Sequence, residues 1–475
     1  MARRTKTLPL GMPMGPPVRA KARWVVEALR IAIRENRVSS GSRMPSTRDL
    51  AEQLGVGRGL VSAAYEELQV EGLLESLPGS GTYVRAGASN PLPEGAADAL
   101  AHAKRESDWI RVNPERPFIA RETDVTLFPV GVWKRLAQRV LSEADTQFFY
   151  DPDPAGSREL RIQVARYLGF ARGIRCDPDD ILITTGTRHG LDLCLRGLAR
   201  TGNRVWIEAP GYAGADALIR AHGLEAVPVP VDVDGFQVDL AEAGGADARL
   251  CLLTPSHQSP LGVRLSHERR IRLLAWAERC GAYIVEDDYD GEFAFAPLRV
   301  PAFKAMDTAD RIIHAGSFNK SLFPTLRIGY LVVPRAIRAR MRALRADTGR
   351  GNSTLDQHIL SRFIAEGHFA RHIRRMEQIY KTKCARSLEA IRQGYGSPLS
   401  VLGTQGGFHF FLRLPDALDL GRLEESARRN GLTLPSAALH GAAKPETGLV
   451  VGYSSLTLET IDRAGTLLGR LMRAG

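Results

Sequence analysis

Residues 316–330 read GSFNKSLFPTLRIGY, and the lysine in this stretch decides how the larger part of the chain is interpreted. Lys320 follows the apolar run 311–315 and precedes a second apolar run, 328–333, so we expect it at the exit of a strand. A lysine in such a place either extends its charged end to solvent or serves as a functional amine. The chemistry of the other predicted strand ends separates the two possibilities.

A second stretch predicts an anion-binding turn. Residues 181–187, ILITTGT, read as a strand that runs into a turn at Gly186 and Thr187 and then into a helix. The first backbone N–H groups of a helix have no partner within it and point towards one place, which suits an anion. Ser317 lies three residues before the lysine and Arg327 seven after it. We expect both to donate hydrogen bonds to the anion at this turn, for which a phosphate group is the candidate.

An acidic stretch ends another predicted strand. Residues 283–290 read YIVEDDYD, and Asp287 and Tyr289 face the same side if the strand persists. A carboxylate and a phenol on one face suit a heterocycle with a protonated ring nitrogen and a phenolate oxygen, which describes pyridoxal 5′-phosphate (PLP). The alternative is a magnesium site made by four acidic residues: Asp287, Asp288, Asp290 and Glu292. The lysine favours PLP, because a desolvated amine forms a Schiff base with its aldehyde.

The arrangement of apolar runs predicts the fold class. Short runs of strand character alternate with helical stretches such as 188–199 and 266–280. The runs are 181–184, 204–207, 249–253, 283–285 and 312–314. This alternation is typical of an α/β domain in which helices flank a mostly parallel central sheet.

The N-terminal residues predict a helix-turn-helix. Ser46 is expected to cap one helix, which ends near Gly55, and a second helix begins at about Gly57. An apolar stripe at helical spacing runs along the second helix: Val61, Ala64, Tyr65 and Leu68. Arg58 and Ser62 share another side of this helix, from which they could reach a DNA groove or backbone.

A hairpin after the second helix predicts a wing. Two short strand candidates enclose the turn 78–81, PGSG, where Gly79 and Gly81 allow close approach to a DNA backbone. Residues 1–85 carry 13 Lys and Arg against 8 Asp and Glu, which is +5 of the chain's net charge of +11. This concentration of positive charge predicts double-stranded DNA as a partner.

Composition divides the chain into a DNA-binding domain over 1–85, a linker over 86–113 and a large domain over 114–475. The linker is rich in Ala, Gly, Pro and charge. No apolar segment is long enough for a signal peptide or a membrane span, and the five cysteines lack CxxC spacing. We therefore expect a cytoplasmic protein with reduced cysteines and no bound metal.

Residues 44–84, MPSTRDLAEQLGVGRGLVSAAYEELQVEGLLESLPGSGTYV, resemble the winged helix of GntR-type bacterial regulators. The resemblance implies operator contacts for the arginine after PS, the arginine that opens the recognition helix and the wing glycines, here Arg48, Arg58, Gly79 and Gly81. Gly57 and Gly59 replace the usual serine and threonine of the family. Two hydroxyls that could bind phosphate are therefore missing, which affects operator preference.

Residues 115–475 resemble fold-type I PLP enzymes of the aspartate aminotransferase kind, which also have a smaller C-terminal α+β subdomain. SFNK resembles their lysine motif, EAPGY their stacking aromatic, TPSHQSPLG their NPTG turn and GTRHG their phosphate turn. The resemblance implies cofactor contacts for Lys320, Tyr212, Ser259, Gly186, Thr187 and Arg188. Tyr150, in YDPDPAG, matches a tyrosine that reaches the cofactor phosphate of the partner subunit, which implies a homodimer.

A winged helix joined to such a domain resembles the MocR/GabR subfamily of GntR regulators. The resemblance implies a PLP-dependent transcriptional regulator that senses a small molecule, either an amine or amino acid or PLP itself. The alternative is an active aminotransferase with an appended DNA-binding domain, and residual half-reactions are chemically allowed in either case.

The C-terminal strand argues against ordinary transamination. Aminotransferases commonly bind the substrate carboxylate through an arginine on this strand, but residues 448–453 read GLVVGY. Lys444 or His440 could substitute for it. Another possibility is that Arg188 or His189 binds a different anionic group of the effector.

Overall fold

The structure is a computed structural model that describes residues 21–87, 117–119, 123–150, 153–244, 248–295, 301–349, 351–415, 418–434 and 448–474. The chain forms two compact units, Met1–Val112 and Asn113–Gly475. Residues 88–113 of the predicted linker lie outside the described residues, as do His440 and Lys444. The predicted domain limits remain predictions.

The first unit is built from three helices and a hairpin. Its elements are α1 (Lys21–Arg34), α2 (Thr47–Leu54), α3 (Arg58–Val70), β1 (Leu74–Leu77) and β2 (Gly81–Val84). The predicted cap is confirmed, because Ser46 Oγ accepts a hydrogen bond from Asp49 N at 3.2 Å. Helix α2 ends at Gly55 in the left-handed conformation, with φ 63°. All four stripe residues of α3 are buried, and β1 pairs with β2 in antiparallel register.

Helix α1 is the element of this unit that the sequence argument did not identify. Its apolar side is buried through Val25, Leu29, Ala32 and Ile33, which belong to the same core as the stripe of α3. Helix α1 packs on α3 and completes the small apolar core, while Arg58 and Gly59 at the start of α3 stay exposed.

The larger unit begins with α4 (Val130–Ser142) and α5 (Arg158–Ala171) and continues with alternating strands and helices. These are β3 (Ile181–Thr184), α6 (Thr187–Leu198), β4 (Arg204–Ala209), α7 (Ala213–Ala221), β5 (Glu225–Asp232), β6 (Gly235–Phe236), α8 (Val238–Ala243), β7 (Ala248–Leu253), α9 (His267–Cys280), β8 (Tyr283–Asp288), β9 (Ile312–Ser317), α10 (Phe318–Ser321) and β10 (Gly329–Val332). All five predicted strands are present, and the two predicted helices differ from α6 and α9 by one residue at most at either end.

The C-terminal part of this unit adds helices and a second sheet. Its elements are α11 (Arg338–Asp347), α12 (Thr354–Ala365), α13 (His368–Tyr395), β11 (Ser400–Leu402), β12 (His409–Arg413), α14 (Leu420–Arg429), β13 (Gly448–Gly452) and α15 (Leu458–Ala474). The three strands form an antiparallel sheet in the order β11-β12-β13. Short 3-10 turns occur at 125–127, 146–149, 178–180, 303–306, 324–326 and 335–337. No helix of the described ranges is long and apolar enough to cross a bilayer.

The central sheet has eight strands in the order β3-β10-β9-β8-β7-β4-β5-β6. Strands β5, β4, β7, β8 and β9 are mutually parallel, and β10 runs antiparallel to both β9 and β3. Strand β3 therefore has the same direction as β8 and β9. Their carboxyl ends meet at one edge of the sheet, and β10 begins at that edge.

Both faces of the central sheet are buried. The adjacent residues Val205 and Trp206 of β4 belong to two different apolar cores, as do Leu250 and Cys251 of β7. Strands that are buried on both faces need apolar residues at successive positions. The apolar runs in the sequence are therefore uninterrupted and do not alternate with polar residues. The predicted fold class, an α/β domain with a mostly parallel sheet and a smaller C-terminal α+β part, is confirmed.

Strand β9 leads to the predicted functional lysine. Its close packing against β10 can be tested by measuring the stability of a variant. Gly316 lies opposite Tyr330 of β10, and a Cβ at Gly316 would lie 2.2 Å from the Tyr330 ring. We expect Gly316→Ala to lower the free energy of unfolding of the larger unit by about 1–3 kcal/mol, because the buried ring must move.

The matched control is Gly351→Ala, where a Cβ would meet no atom within 4 Å. Urea unfolding of both variants, followed by tryptophan fluorescence, measures the difference. Equal midpoints for the two variants would show that the sheet accommodates the methyl group.

Candidate functional site

A cavity of about 530 Å³ opens at the edge where β3, β8 and β9 end and β10 begins. It brings together every predicted cofactor residue except Tyr150: Gly186, Thr187, Arg188, Tyr212, Ser259, Asp287, Tyr289, Ser317, Lys320 and Arg327. His189 also lines the cavity, as do five residues that the sequence alone does not predict: Thr185, Asp192, Leu218, Thr254 and Asn319. We call this cavity the central pocket.

One end of the central pocket is the N-terminus of α6. The turn after β3 places Gly186 at φ 133°, and the helix begins at the next residue, so its first N–H groups face the pocket. A Cβ at Gly186 would lie 2.7 Å from Nδ2 of Asn319. Asn319 donates to the Thr185 carbonyl at 3.2 Å and accepts from Ile328 N at 2.9 Å, so it joins the turn to the lysine segment. Its position beside Lys320 is the signal that sequence reasoning missed.

Lys320 lies in α10, a single helical turn directly after β9. Ser317 caps this turn, and its Oγ accepts from Asn319 N at 3.3 Å. The predicted position at a strand exit is confirmed, and the side chain is half-buried rather than solvated. Strand and cap fix the backbone, so the amine projects into the pocket from a rigid support.

Arg327 reaches the pocket from a left-handed backbone position, with φ 54°. A non-glycine residue holds this conformation only where its surroundings compensate for it. Asn352 provides one such contact, since its Nδ2 donates to the Arg327 carbonyl at 2.7 Å and to the Thr184 carbonyl at 3.1 Å. The buried amide therefore ties the arginine to the end of β3, although Asn352 is far away in sequence.

The side chains of the acidic stretch at the end of β8 point in two directions, some into the central pocket and others into buried contacts. Asp287 lies in β8 and Tyr289 directly follows the strand, and both line the central pocket as predicted. Asp288 instead accepts hydrogen bonds from buried Arg172 at 2.8 and 2.9 Å, and Asp290 pairs with His257 at 2.8 Å. Among the described residues no three His, Cys, Asp or Glu side chains are placed to hold a metal ion.

A buried contact between Glu286 and His314 supports β8 from behind. Glu286 accepts from His314 at 3.0 Å and from the backbone N–H groups of Phe303 and Lys304 at 2.6 and 2.9 Å. Burial alone would raise the pKa of Glu286, but His314 and these donors outweigh it and lower the pKa to about 2. The carboxylate is therefore charged and fully bonded, and β8 and β9 are joined side chain to side chain as well as through their backbones.

The wall of the pocket carries Tyr212 and Ser259. Tyr212 precedes α7, and Ser259 N donates to Thr254 Oγ1 at 3.0 Å. Thr254 in turn donates its hydroxyl and backbone N–H to Glu208, at 2.7 and 3.1 Å. Burial raises the pKa of Glu208 to about 7, so this carboxyl changes protonation near neutral pH. The turn that holds Ser259 is thus anchored on β4.

Tyr150 lies outside the central pocket of its own chain. Its side chain is 63% exposed, and the neighbouring Phe149 is 75% exposed. Tyr150 lines a second cavity of about 420 Å³ between α4, α5 and α12. The structure therefore does not bring it to the other predicted residues within one chain.

The predicted DNA-contacting residues lie on the surface of the first unit. Arg48 and Arg58 are exposed, and Ser62 is half-buried beside them on α3. Arg58 Nε donates to Thr47 Oγ1 at 3.3 Å, which links the start of α3 to the start of α2. Gly57 precedes α3 and provides no side-chain cap for the first N–H groups of the helix. Two wing glycines have positive φ: Gly79 at 76° and Gly81 at 118°.

Comparison with known families agrees with this division into two parts. Residues 21–84 match the bacterial regulatory proteins of the gntR family, and residues 122–431 match aminotransferase class I and II. The second match covers more than half of the chain. The first covers the three helices and the hairpin, and the second covers the central sheet and the central pocket.

Curated relatives match the chain over nearly its full length. The probable rhizopine catabolism regulatory protein MocR of Rhizobium meliloti is 33% identical over 92% of this chain and 91% of its own. The transcriptional regulator TauR of Rhodobacter capsulatus is 33% identical over 93% and 94%. The pyridoxine biosynthesis transcriptional regulator PdxR of Corynebacterium glutamicum is 29% identical over 92% of both chains.

Solved structures resemble the larger unit. The α-aminoadipate aminotransferase LysN of Thermus thermophilus, solved with N-(5′-phosphopyridoxyl)-L-leucine, has a TM-score of 0.69 and 26% identity, over 81% of this chain and 97% of its own. The kynurenine aminotransferase of Pyrococcus horikoshii has a TM-score of 0.71 at 23% identity, over 79% and 96%. The chain therefore belongs to the MocR/GabR subfamily of GntR-type transcriptional regulators, in which a DNA-binding winged helix is joined to an aminotransferase-like domain.

Proposed function

We propose that the central pocket binds PLP through Lys320 and that the protein is a transcriptional regulator whose operator binding depends on what occupies this pocket. The observation that carries the proposal is the convergence of a lysine, a carboxylate, a phenol and a helix N-terminus on one cavity. A regulator that only bound DNA would need none of these groups.

The pocket fits PLP in charge and in shape. The cofactor's phosphate suits the N-terminus of α6, where backbone N–H groups face the cavity and Gly186 lets Asn319 pack closely against the turn. Ser317 and Arg327 line the same cavity and would add a hydroxyl donor and a positive charge. Arg188, on the first turn of α6, adds a second guanidinium.

The remaining residues of the central pocket suit the pyridine ring of the cofactor. Asp287 would accept a hydrogen bond from the ring nitrogen and keep it protonated, and Tyr289 would donate to the ring oxygen. Tyr212 would stack on the ring, and Ser259 would contact the same oxygen as Tyr289. Lys320 supplies the amine that attaches the cofactor covalently. When bound, PLP supplies an aldehyde that condenses with amines and a ring that withdraws electrons.

The proposed effector class rests on the cations that line the pocket in the described part of the chain. Strand β13 is buried along its whole length, and Val450 packs in an apolar cluster where an aminotransferase commonly has an arginine on the matching strand. Arg188 is exposed at the pocket and has no carboxylate partner among the described residues. We therefore propose an effector that is either an amine with an anionic group bound by Arg188 or His189, or PLP itself.

A homodimer would explain Tyr150. Its exposed ring and the adjacent Phe149 form an apolar projection beside the second cavity, outside the central pocket of their own chain. We propose that this projection docks on a second copy of the chain, where Tyr150 contacts the cofactor phosphate.

DNA contact would use the exposed side of the first unit. Arg48, Arg58 and Ser62 would contact operator DNA through α2 and α3, and Gly79 and Gly81 would let the wing approach the backbone. Since operators are chromosomal, we propose a cytoplasmic location. Ligand binding controls the operator only if it favours one arrangement of the protein over another.

Lys320→Ala tests the covalent attachment. We expect the purified protein with PLP to absorb visible light and borohydride to remove this absorption, because a lysine-bound aldehyde is reduced. The Lys320→Ala protein should show neither property, whereas Lys134→Ala, which removes an exposed lysine of α4, should behave like the unaltered protein. Equal spectra for all three proteins would contradict the role of Lys320.

The same variants test the regulatory function. We expect PLP, alone or together with an amine that carries an anionic group, to change the operator dissociation constant of the unaltered protein. The expected change is about 5- to 150-fold, the usual range for coupled sites. Lys320→Ala should retain operator binding and lose this response, which fluorescence anisotropy with labelled operator DNA would measure. Turnover of amino acids at enzyme-like rates without any DNA affinity would favour the aminotransferase alternative.

Arg58→Ala tests the DNA surface. We expect this change to weaken operator binding by about 1–3 kcal/mol and to flatten its salt dependence if the guanidinium contacts phosphate. The control is Arg37→Ala in the same unit, where the guanidinium pairs with Glu35 at 2.8 Å. A loss of affinity of the same size in both variants would indicate a general charge effect instead of a specific contact.

A further inference from the structure

His257 lies directly behind the phenol that would contact the cofactor. Its Nδ1 is 3.2 Å from the Tyr289 hydroxyl and 2.8 Å from Asp290 Oδ2, and all three residues are buried. His257 does not line the central pocket, so it would touch the cofactor only through Tyr289. His257 belongs to the TPSHQSPLG stretch, but the sequence alone does not show that it meets Tyr289.

Both nitrogens of the His257 ring face acceptors. Nδ1 faces the Asp290 carboxylate, which only accepts when ionised, and Nε2 lies 3.3 Å from the Gly403 carbonyl. Only the doubly protonated ring satisfies both contacts, and the carboxylate balances its charge. Burial lowers the pKa of His257, but Asp290 outweighs it and raises the pKa above its ordinary value.

The ring is held in place by backbone rather than by flexible side chains. A Cβ at Gly262, Gly403 or Gly407 would lie 2.9, 3.2 or 2.5 Å from an atom of the His257 ring. All three glycines have positive φ, at 72°, 76° and 74°, so side chains are disfavoured there for conformational reasons as well. Gly403 follows β11, so the ring spans the gap between the central sheet and the small C-terminal sheet.

The protonation of Nδ1 determines the direction of the tyrosine hydroxyl. An Nδ1–H that points towards Asp290 and the Tyr289 oxygen is a donor to both, so the tyrosine oxygen accepts there. The hydrogen of the Tyr289 hydroxyl then points away from His257, and the Tyr289 side chain lines the central pocket. A donor directed into the pocket is what a phenolate oxygen needs.

We infer that His257 is a positioning residue for Tyr289: held by Asp290 and Gly403, it directs the tyrosine hydroxyl into the central pocket as a hydrogen-bond donor to the ring oxygen of PLP. The inference rests on the proposed function, because it assumes that the Tyr289 hydroxyl meets the cofactor. It adds a residue whose effect passes entirely through another side chain. A histidine that only fills space beside Asp290 would act whether or not the hydroxyl is present.

A double-mutant cycle separates these roles. The proteins are the unaltered chain, His257→Phe, Tyr289→Phe and the combination, and the measurements are the PLP dissociation constant and the visible spectrum of bound PLP. We expect His257→Phe to weaken PLP binding about tenfold, as expected for a lost hydrogen bond to a charged group, and to change the spectrum in the direction of Tyr289→Phe. In the Tyr289→Phe background it should change neither quantity by more than about twofold.

A second variant guards against misfolding, because His257→Phe leaves the buried Asp290 carboxylate without its partner. His257→Phe/Asp290→Asn removes that charge, and the cycle is repeated with it. Thermal unfolding without PLP reports the stability of each protein separately. His257→Asn, whose amide N–H can replace Nδ1–H, should restore part of the lost affinity and spectrum.

The outcomes distinguish the inference from the proposal on which it rests. Equal losses from the His257 change with and without the Tyr289 hydroxyl would overturn the positioning role and leave PLP binding intact. Unchanged affinity and spectrum in His257→Phe would overturn it as well. An unaltered protein that binds no PLP would overturn the proposed function, and the role of His257 would fall with it.

Discussion

Parallel strands end together, and this constraint places the functional groups of the larger unit. Strands β3, β8 and β9 point to the same edge of the central sheet. At this edge the central pocket brings together the helix N-terminus after β3, the carboxylate of β8, the phenol that follows it and the lysine after β9. More than 100 residues of sequence separate the first of these groups from the last. The antiparallel β10 starts at this edge and adds Arg327. Buried contacts behind the edge, such as Glu286 with His314, keep the strand ends in register.

The winged helix obeys a different constraint. A small domain with a single apolar core needs all three helices to complete it, and the first residues of α3 and the tip of the wing stay exposed. The protein therefore has a central pocket in its larger unit and a small, charged surface on its winged helix.

Much of this organisation is predictable because it is periodic or local. The strand that contains Asp287 and ends just before Tyr289, the cap at Ser46 and the stripe of α3 are all determined by neighbours in sequence. Asn352 and Gly403 could not be predicted in the same way, since each acts through a contact to a segment far away in the chain. Asn319 was within reach, because it is adjacent to Lys320, but its role depends on meeting Gly186 across the sheet edge. Tyr150 differs again: its expected partner is outside its own chain.

The most direct test of the account is to find which residue carries the cofactor. The protein would be incubated with PLP, reduced with borohydride, digested and mapped by mass spectrometry. The account predicts one phosphopyridoxyl group, on the peptide that contains Lys320, in an amount close to one per chain. A cofactor distributed over several surface lysines, or an unmodified Lys320 at saturating PLP, would contradict it.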